Sequence, residues 1–218
     1  MPVDAPNTPD LLYWERQLWE GGYQFLAGVD EVGRGALAGP LVAAAVILPG
    51  EDEENASFRA VKDLIRDSKT LSRKRREEIA EIIEASGASI GIGMVEPDEI
   101  DVIGINPANR TAMERAVLAL PVEPDMLLID ALTLDLDTPQ IGVIDGDAQS
   151  ISIAAASIVA KVTRDRLMVG MHTSWPAYGF ARHKGYGVAS HLAALQELGP
   201  CPQHRRCFAP VRMAQRGS

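Results

Sequence analysis

Residues 25–49 read FLAGVDEVGRGALAGPLVAAAVILP, and this stretch decides the fold. Residues 25–29 and 41–48 are short apolar runs without helical caps, so both read as strands. Between them DEVGRGALAG forms a glycine-rich turn. Upstream, residues 11–20 carry Leu11, Leu12, Trp14 and Leu18 on one side of a short helix. Downstream, residues 51–55 are an acidic loop. A helix follows over 72–85, with Ser72 as N-cap, Ile79, Ile82 and Ile83 at helical spacing, and Gly87 ending it. Residues 89–95 alternate like a strand.

The second half continues with a helix over 106–120, then a buried strand over 126–129 that runs into Asp130. Residues 141–144 form another strand, leading to Asp145, Gly146 and Asp147. Ser150 opens a long helix to about residue 168, alanine-rich at its start, where small side chains let it lie close on a sheet. A Gly/aromatic loop, a helix over 189–198 and a basic end complete the chain. Adjacent strands first and helical crossovers later specify an α/β domain with a mixed sheet of about five strands.

The chain has 218 residues, long enough for one sizeable core. Its 46 % hydrophobic and 23 % charged content is that of an ordinary water-soluble protein. The longest nearly apolar run, 37–49, is too short for a bilayer and contains Gly39 and Pro40. The start, MPVDAPNTPD, is acidic and proline-rich, unlike a signal peptide. Two cysteines, Cys201 and Cys207, cannot organise a fold of this size and fit a reducing compartment, so a cytoplasmic location is expected. Net charge is −9, yet residues 161–218 hold nine Lys or Arg against two acids, leaving −16 on residues 1–160. Either a solvated basic tail or a nucleic-acid-binding end accounts for that polarity.

Asp30 and Glu31 follow an apolar strand, where α/β proteins place their sites. Two adjacent acids repel each other, a cost that a divalent cation between them removes. Gly33, Gly35 and Ala38 imitate a dinucleotide fingerprint, but Gly39-Pro40 leads into a strand where that motif needs a helix N-terminus for pyrophosphate. Glycines around Arg34 instead let backbone approach a bulky ligand while the guanidinium grips a phosphate. Asp130 is a third acid at a strand end; Asp147 is a fourth, or else a helix cap. Three or four such acids describe a site for Mg²⁺ or Mn²⁺, one or two ions, suited to in-line displacement at phosphorus.

Ser157, Lys161 and Arg164 share one face of the long helix, as a phosphate-binding or merely exposed polar side. The segment 182–187, RHKGYG, joins cations, an aromatic ring and flexible backbone, a combination that grips a sugar-phosphate. Asp67-Ser68-Lys69 and residues 73–76 offer further phosphate contacts or a solvated helix start. Cys201, His204 and Cys207 supply three zinc-type ligands without a fourth, and a zinc site is not expected.

Taken in order, AGVDEVGRGALAGPLVAAAVIL, DSKTLSRKRRE, LLIDA, GDAQSISIAAASIVAKVTRDR, YGFARHKGYG and HRRCFAPVR resemble the ribonuclease HII family, type 2 ribonuclease H, over residues 25–211. The resemblance implies a ribonuclease H-like sheet flanked by helices with a C-terminal helical part. It divides the chain into an N-terminal segment (1–22), a catalytic core (23–165) and a basic, substrate-binding part (166–218), with 23–212 as one family unit. It places the four catalytic and metal-binding carboxylates on Asp30, Glu31, Asp130 and Asp147. Gly33, Arg34, Gly35, Lys69, Ser157, Lys161 and Tyr186 are the implied substrate contacts, with Tyr186 packing on the sugar at the RNA–DNA junction.

The implied reaction is metal-dependent hydrolysis of RNA in RNA–DNA hybrids, and cutting 5′ of single ribonucleotides in duplex DNA. It leaves 3′-hydroxyl and 5′-phosphate ends; the enzyme is expected to be a monomer without a membrane partner. Two positions depart from the family pattern: Asp145 stands where a basic residue is expected, and Ala131 where glycine is frequent. A non-catalytic hybrid-binding module would share the basic tail without needing four acids, and an oxidoreductase reading rests on the glycines alone.

Overall fold

The computed structural model describes residues 10–50, 56–66 and 72–216. Five strands make one sheet: β1 (Leu26–Val32), β2 (Leu41–Ile47), β3 (Ser89–Val95), β4 (Met126–Asp130) and β5 (Gln140–Val143). Their spatial order is β3-β2-β1-β4-β5. The first three pair antiparallel, and β1–β4 and β4–β5 pair parallel, which is the expected mixed sheet.

Helices cover both faces. They are α1 (Tyr13–Glu20), α2 (Ala56–Arg66), α3 (Arg73–Ala85), α4 (Pro97–Ile103), α5 (Ile105–Leu118) and α6 (Ile151–Ser174), then α7 (Phe180–His183), α8 (Ala189–Leu198) and α9 (Ala209–Arg216). Alternation along the central strands sorts the layers. Ala44 and Val46 of β2 pack with α2, α3 and α6, whereas Ala43 and Ala45 pack with α5 and with Ala27 and Val29 of β1. Every residue of β2 is buried, so this strand reads as an unbroken apolar run.

Two devices seat α6. Ser150 caps its N-terminus, accepting from the Ile153 N–H at 3.2 Å while donating its hydroxyl to buried Glu15 of α1 at 2.6 Å. Gly28 then lets the helix touch the sheet, since a Cβ there would stand 2.0 Å from the Ser152 carbonyl carbon.

Several expectations need adjustment. β1 runs to Val32 rather than stopping at residue 29, because Asp30, Glu31 and Val32 stay paired with Ala44, Ala43 and Val42. Hairpin pairing thus overrides the poor strand propensity of the acids. α6 continues to Ser174 rather than ending near residue 168. α2, α4, α7 and α9 were not expected. Lys69 and the acidic loop 51–55 lie outside the described residues.

Candidate active site

β1 and β4 run parallel with Val29 opposite Ile129, so the next residues, Asp30 and Asp130, reach the same sheet end. Asp30 faces α6, and Glu31 faces α5. At the sheet end their carboxylates nevertheless converge: Asp30, Glu31 and Asp130 offer oxygens that all lie within 4.8 Å of one another.

Such crowding has an electrostatic cost. Burial pushes the Asp30 carboxyl up to about 8; a hydrogen bond from Ser157 opposes this, and the charges of Glu31 and Asp130 add to it. Glu31 is raised by burial and by Asp130, against the pull of Arg34 and a hydrogen bond from Asn109. Asp130 is raised by burial, then lowered by the Gly146 N–H, which donates to its Oδ1 at 2.8 Å, and raised again by Asp147 and Asp145.

Asp147 is exposed on the short 3₁₀ turn Gly146–Ala148 and stands outside the group of three acids. It nonetheless lines one cavity of about 250 Å³ with Glu31, Arg76, Ser157 and Lys161. Asp145 precedes the turn in the left-handed region (φ 49°), and Ala131 after Asp130 is left-handed too (φ 56°). The Ala131 backbone explains why glycine suits that position, since a side chain in this region is strained.

Beside the acids lies the Gly33-Arg34-Gly35 loop. Arg34 is exposed and donates to Asn106 at 2.8 Å. Gly33 (φ 94°) has no room for a side chain: a Cβ would meet the Arg164 Nε at 2.1 Å. Arg164 is fully buried, which corrects both readings for this residue alone. It donates to the carbonyls of Pro40 (2.9 Å), Ala38 (3.0 Å) and Lys184 (2.9 Å). Arg205, equally buried, donates to Gly39 (3.0 Å) and Gly33 (2.8 Å). Two guanidiniums therefore staple the glycine loop to the C-terminal part, using the rigid fork for carbonyls rather than for phosphate.

Ser157 and Lys161 do face the cavity. Lys161 pairs with Asp165 at 2.8 Å and stands 5.8 Å from the centre of the half-buried Tyr186 ring. Among the described residues the structure thus brings Asp30, Glu31, Asp130, Asp147, Ser157, Lys161 and Tyr186 to one end of the sheet, next to Gly33, Arg34 and Gly35. Cys201 and His204 touch at 3.2 Å, but Cys207 turns to Asp101, whose carboxylate accepts its N–H at 2.8 Å. The three do not assemble a metal site.

Sequence reasoning missed Asn109 and Arg205. Asn109 is 2 % exposed, with an Oδ1 that has no partner among the described residues. Its signal was a polar residue inside the apolar stripe Ala108, Ala112, Met113, Ala116 of α5. Arg205 gave none beyond its place in a basic run.

The ribonuclease HII family model matches residues 27–211. The chain belongs to the ribonuclease HII family. It is 51 % identical to ribonuclease HII of Bacillus licheniformis over 199 residues, 91 % of this chain and 75 % of that protein. With ribonuclease HII of Syntrophobacter fumaroxidans it shares 51 % over 215 residues, 98 % of this chain and 88 % of that protein. Among solved structures, ribonuclease H2 from Pyrococcus horikoshii matches with a TM-score of 0.74 and 26 % identity, covering 88 % of this chain and 97 % of that one. Bst-RNase HIII in complex with Mn²⁺ matches with a TM-score of 0.65 at 18 % identity, 89 % of this chain and 70 % of that one, a likeness of fold. Membership in the ribonuclease HII family makes this enzyme a ribonuclease H, built on the ribonuclease H-like mixed sheet. No helix among its described residues is long and apolar enough to cross a membrane.

Proposed function

We propose that this ribonuclease HII cleaves the RNA strand of RNA–DNA hybrids and cuts 5′ of single ribonucleotides in duplex DNA. Its products are 3′-hydroxyl and 5′-phosphate ends. The observation that carries this reading is the convergence of three carboxylates from two adjacent strands beside a glycine loop and an aromatic ring. Oxygen ligands in that number suit Mg²⁺ or Mn²⁺, and the raised carboxyls are those a cation would relieve. Asp30, Glu31, Asp130 and, across the cavity, Asp147 would hold one or two ions. When bound, such ions supply an activated water and stabilise charge on the phosphate.

The chain's own groups orient the substrate. Backbone at Gly33 and Gly35 comes close to the ribonucleotide, the missing side chain at Gly33 making room for Arg164 beneath the loop, and Arg34 reaches phosphate. Tyr186 packs on the sugar, and Ser157 and Lys161 face the flanking phosphates; Lys69 belongs to the same set by motif. The 2′-hydroxyl alone distinguishes the substrate from DNA, so it is read at this junction. Residues 166–218 supply the substrate-binding part and residues 23–165 the catalytic core. The enzyme works as a cytoplasmic monomer.

Gel mapping on a duplex with one ribonucleotide tests the reading. Wild type should cut 5′ of that nucleotide with Mg²⁺ or Mn²⁺ and stop in EDTA. An Asp30→Asn enzyme cutting at the normal rate would refute the site, whereas metal-independent retention of an uncut hybrid would point to a binding module.

A further inference from the structure

Tyr186 sits on an irregular segment. Lys184 (φ 53°) and Gly185 (φ 82°) before it are both left-handed, and a single bridge to Ala36 joins it to the glycine loop. The Tyr186 carbonyl accepts the Val188 N–H at 2.8 Å and, behind the loop, also meets a group of buried imidazoles. His204 Nδ1 accepts the Cys201 N–H at 3.0 Å, so a neutral ring carries its proton on Nε2. That Nε2 lies 3.0 Å from His191 Nε2, which must then be the bare acceptor. His191 in turn holds its proton on Nδ1 and donates it to the Tyr186 carbonyl at 2.9 Å. One arrangement of protons satisfies every nitrogen of the pair, and burial keeps both rings neutral by lowering their pKa values, that of His204 to about 4. His183 stacks on His191, with ring centres 4.4 Å apart and 15° between planes, and accepts the Gly185 N–H at 3.3 Å.

We propose that His191, braced by His204, is a positioning residue: as the second donor to the Tyr186 carbonyl, beside the Val188 N–H, it sets where the ring meets the sugar of the ribonucleotide. This rests on the assignment of Tyr186 to the substrate. The imidazoles touch no substrate and do not enter the chemistry. Their effect belongs in binding of the ribonucleotide junction, hence in KM rather than kcat.

Two substitutions separate positioning from plain support. His191→Asn places an amide N–H where Nδ1 was, keeping the bond to Tyr186 and losing His204. His191→Gln reaches His204 and loses Tyr186. On a duplex with one ribonucleotide, His191→Gln should raise KM about tenfold, the size of one buried hydrogen bond, with kcat near wild type. His191→Asn should restore KM to near the wild-type value. His204→Asn keeps the Cys201 bond and breaks the link from the other end, so it should raise KM by a smaller factor. Should His191→Gln fail to fold, a wild-type KM in His204→Asn overturns the proposal.

A purely structural role would lower both His191 melting temperatures alike and leave the two KM values equal, which overturns the proposal. Tyr186→Ala is the control. If it leaves KM unchanged, the Tyr186 assignment fails and the inference falls with it. If it raises KM while His191→Gln does not, only the inference fails.

Discussion

Two groups of ionisable side chains, one at the sheet end and one in the C-terminal part, solve the same difficulty in opposite ways. At the sheet end, Asp30, Glu31 and Asp130 crowd their oxygens within 4.8 Å, and each carboxyl is raised. In the C-terminal part, His183, His191 and His204 pack ring against ring, and each imidazole is lowered. Burial disfavours charge in both. A neutral imidazole, however, is donor and acceptor at once, so the histidines complete one another. A carboxylate, once ionised, only accepts, and the groups around these three, Ser157, Asn109, Arg34 and the Gly146 N–H, do not offset burial and mutual repulsion. The self-sufficient cluster supports structure; the deficient one awaits something from outside.

Substitution should expose this contrast most strongly at Asp30. Asp30→Asn is expected to slow cleavage on the order of a thousandfold, as measured on a single-ribonucleotide duplex. The same change should stabilise the protein in EDTA by about 2 kcal/mol, read by urea denaturation, because it relieves repulsion at a functional site. His204→Ala should do the reverse to stability. It strands the Cys201 N–H and opens a cavity, for a loss of about 3 kcal/mol in the same assay. Equal signs for the two substitutions would erase the distinction.

Acidity separates the clusters next. Asp30 goes from the ordinary 3.8 to about 8 on folding, so its contribution is whole below 3.8 and lost as pH rises to 8. His204 goes from 6.5 to about 4, so its contribution is whole above 6.5 and lost as pH falls to 4. Between these values the two oppose each other; above 6.5 only the carboxyl still acts. In EDTA, melting temperature should therefore fall from pH 6.5 to 8. Mn²⁺ at a hundred times its dissociation constant should lift that alkaline arm by about 2.7 kcal/mol. A uniform lift across pH would place the ion elsewhere. The smallest effect is expected at Ala131: glycine there removes left-handed strain and should add about 0.5–1 kcal/mol, seen as a higher melting temperature.

Much of this was written in local pattern. The apolar runs of β1, β2 and β4, and the capped periodicity of α3 and α6, sufficed for layers and strand ends, and strand ends located the acids. α2 was overlooked although Phe58, Val61 and Ile65 repeat at helical spacing, because the acidic run before it read as loop. α4 carried Pro97 at its start and acids in its first turn, a usable signal in only seven residues. The burial of Arg164 was not legible. Its helix position resembles that of Lys161, and only the carbonyls of Ala38, Pro40 and Lys184, far away in the chain, determine that it turns inward. The imidazole chain was hidden for the same reason, since two histidines thirteen positions apart meet only through tertiary packing.

The absent side chain at Gly28 governs more than local packing. With Ser152 pressed against the strand there, the gap between sheet and helix has no slack. One methyl group would act as a wedge, lifting the whole rod that carries Ser157 and Lys161 away from Asp30. An allele with every acid intact would then be silent, and screens that sample only the polar residues would pass it by.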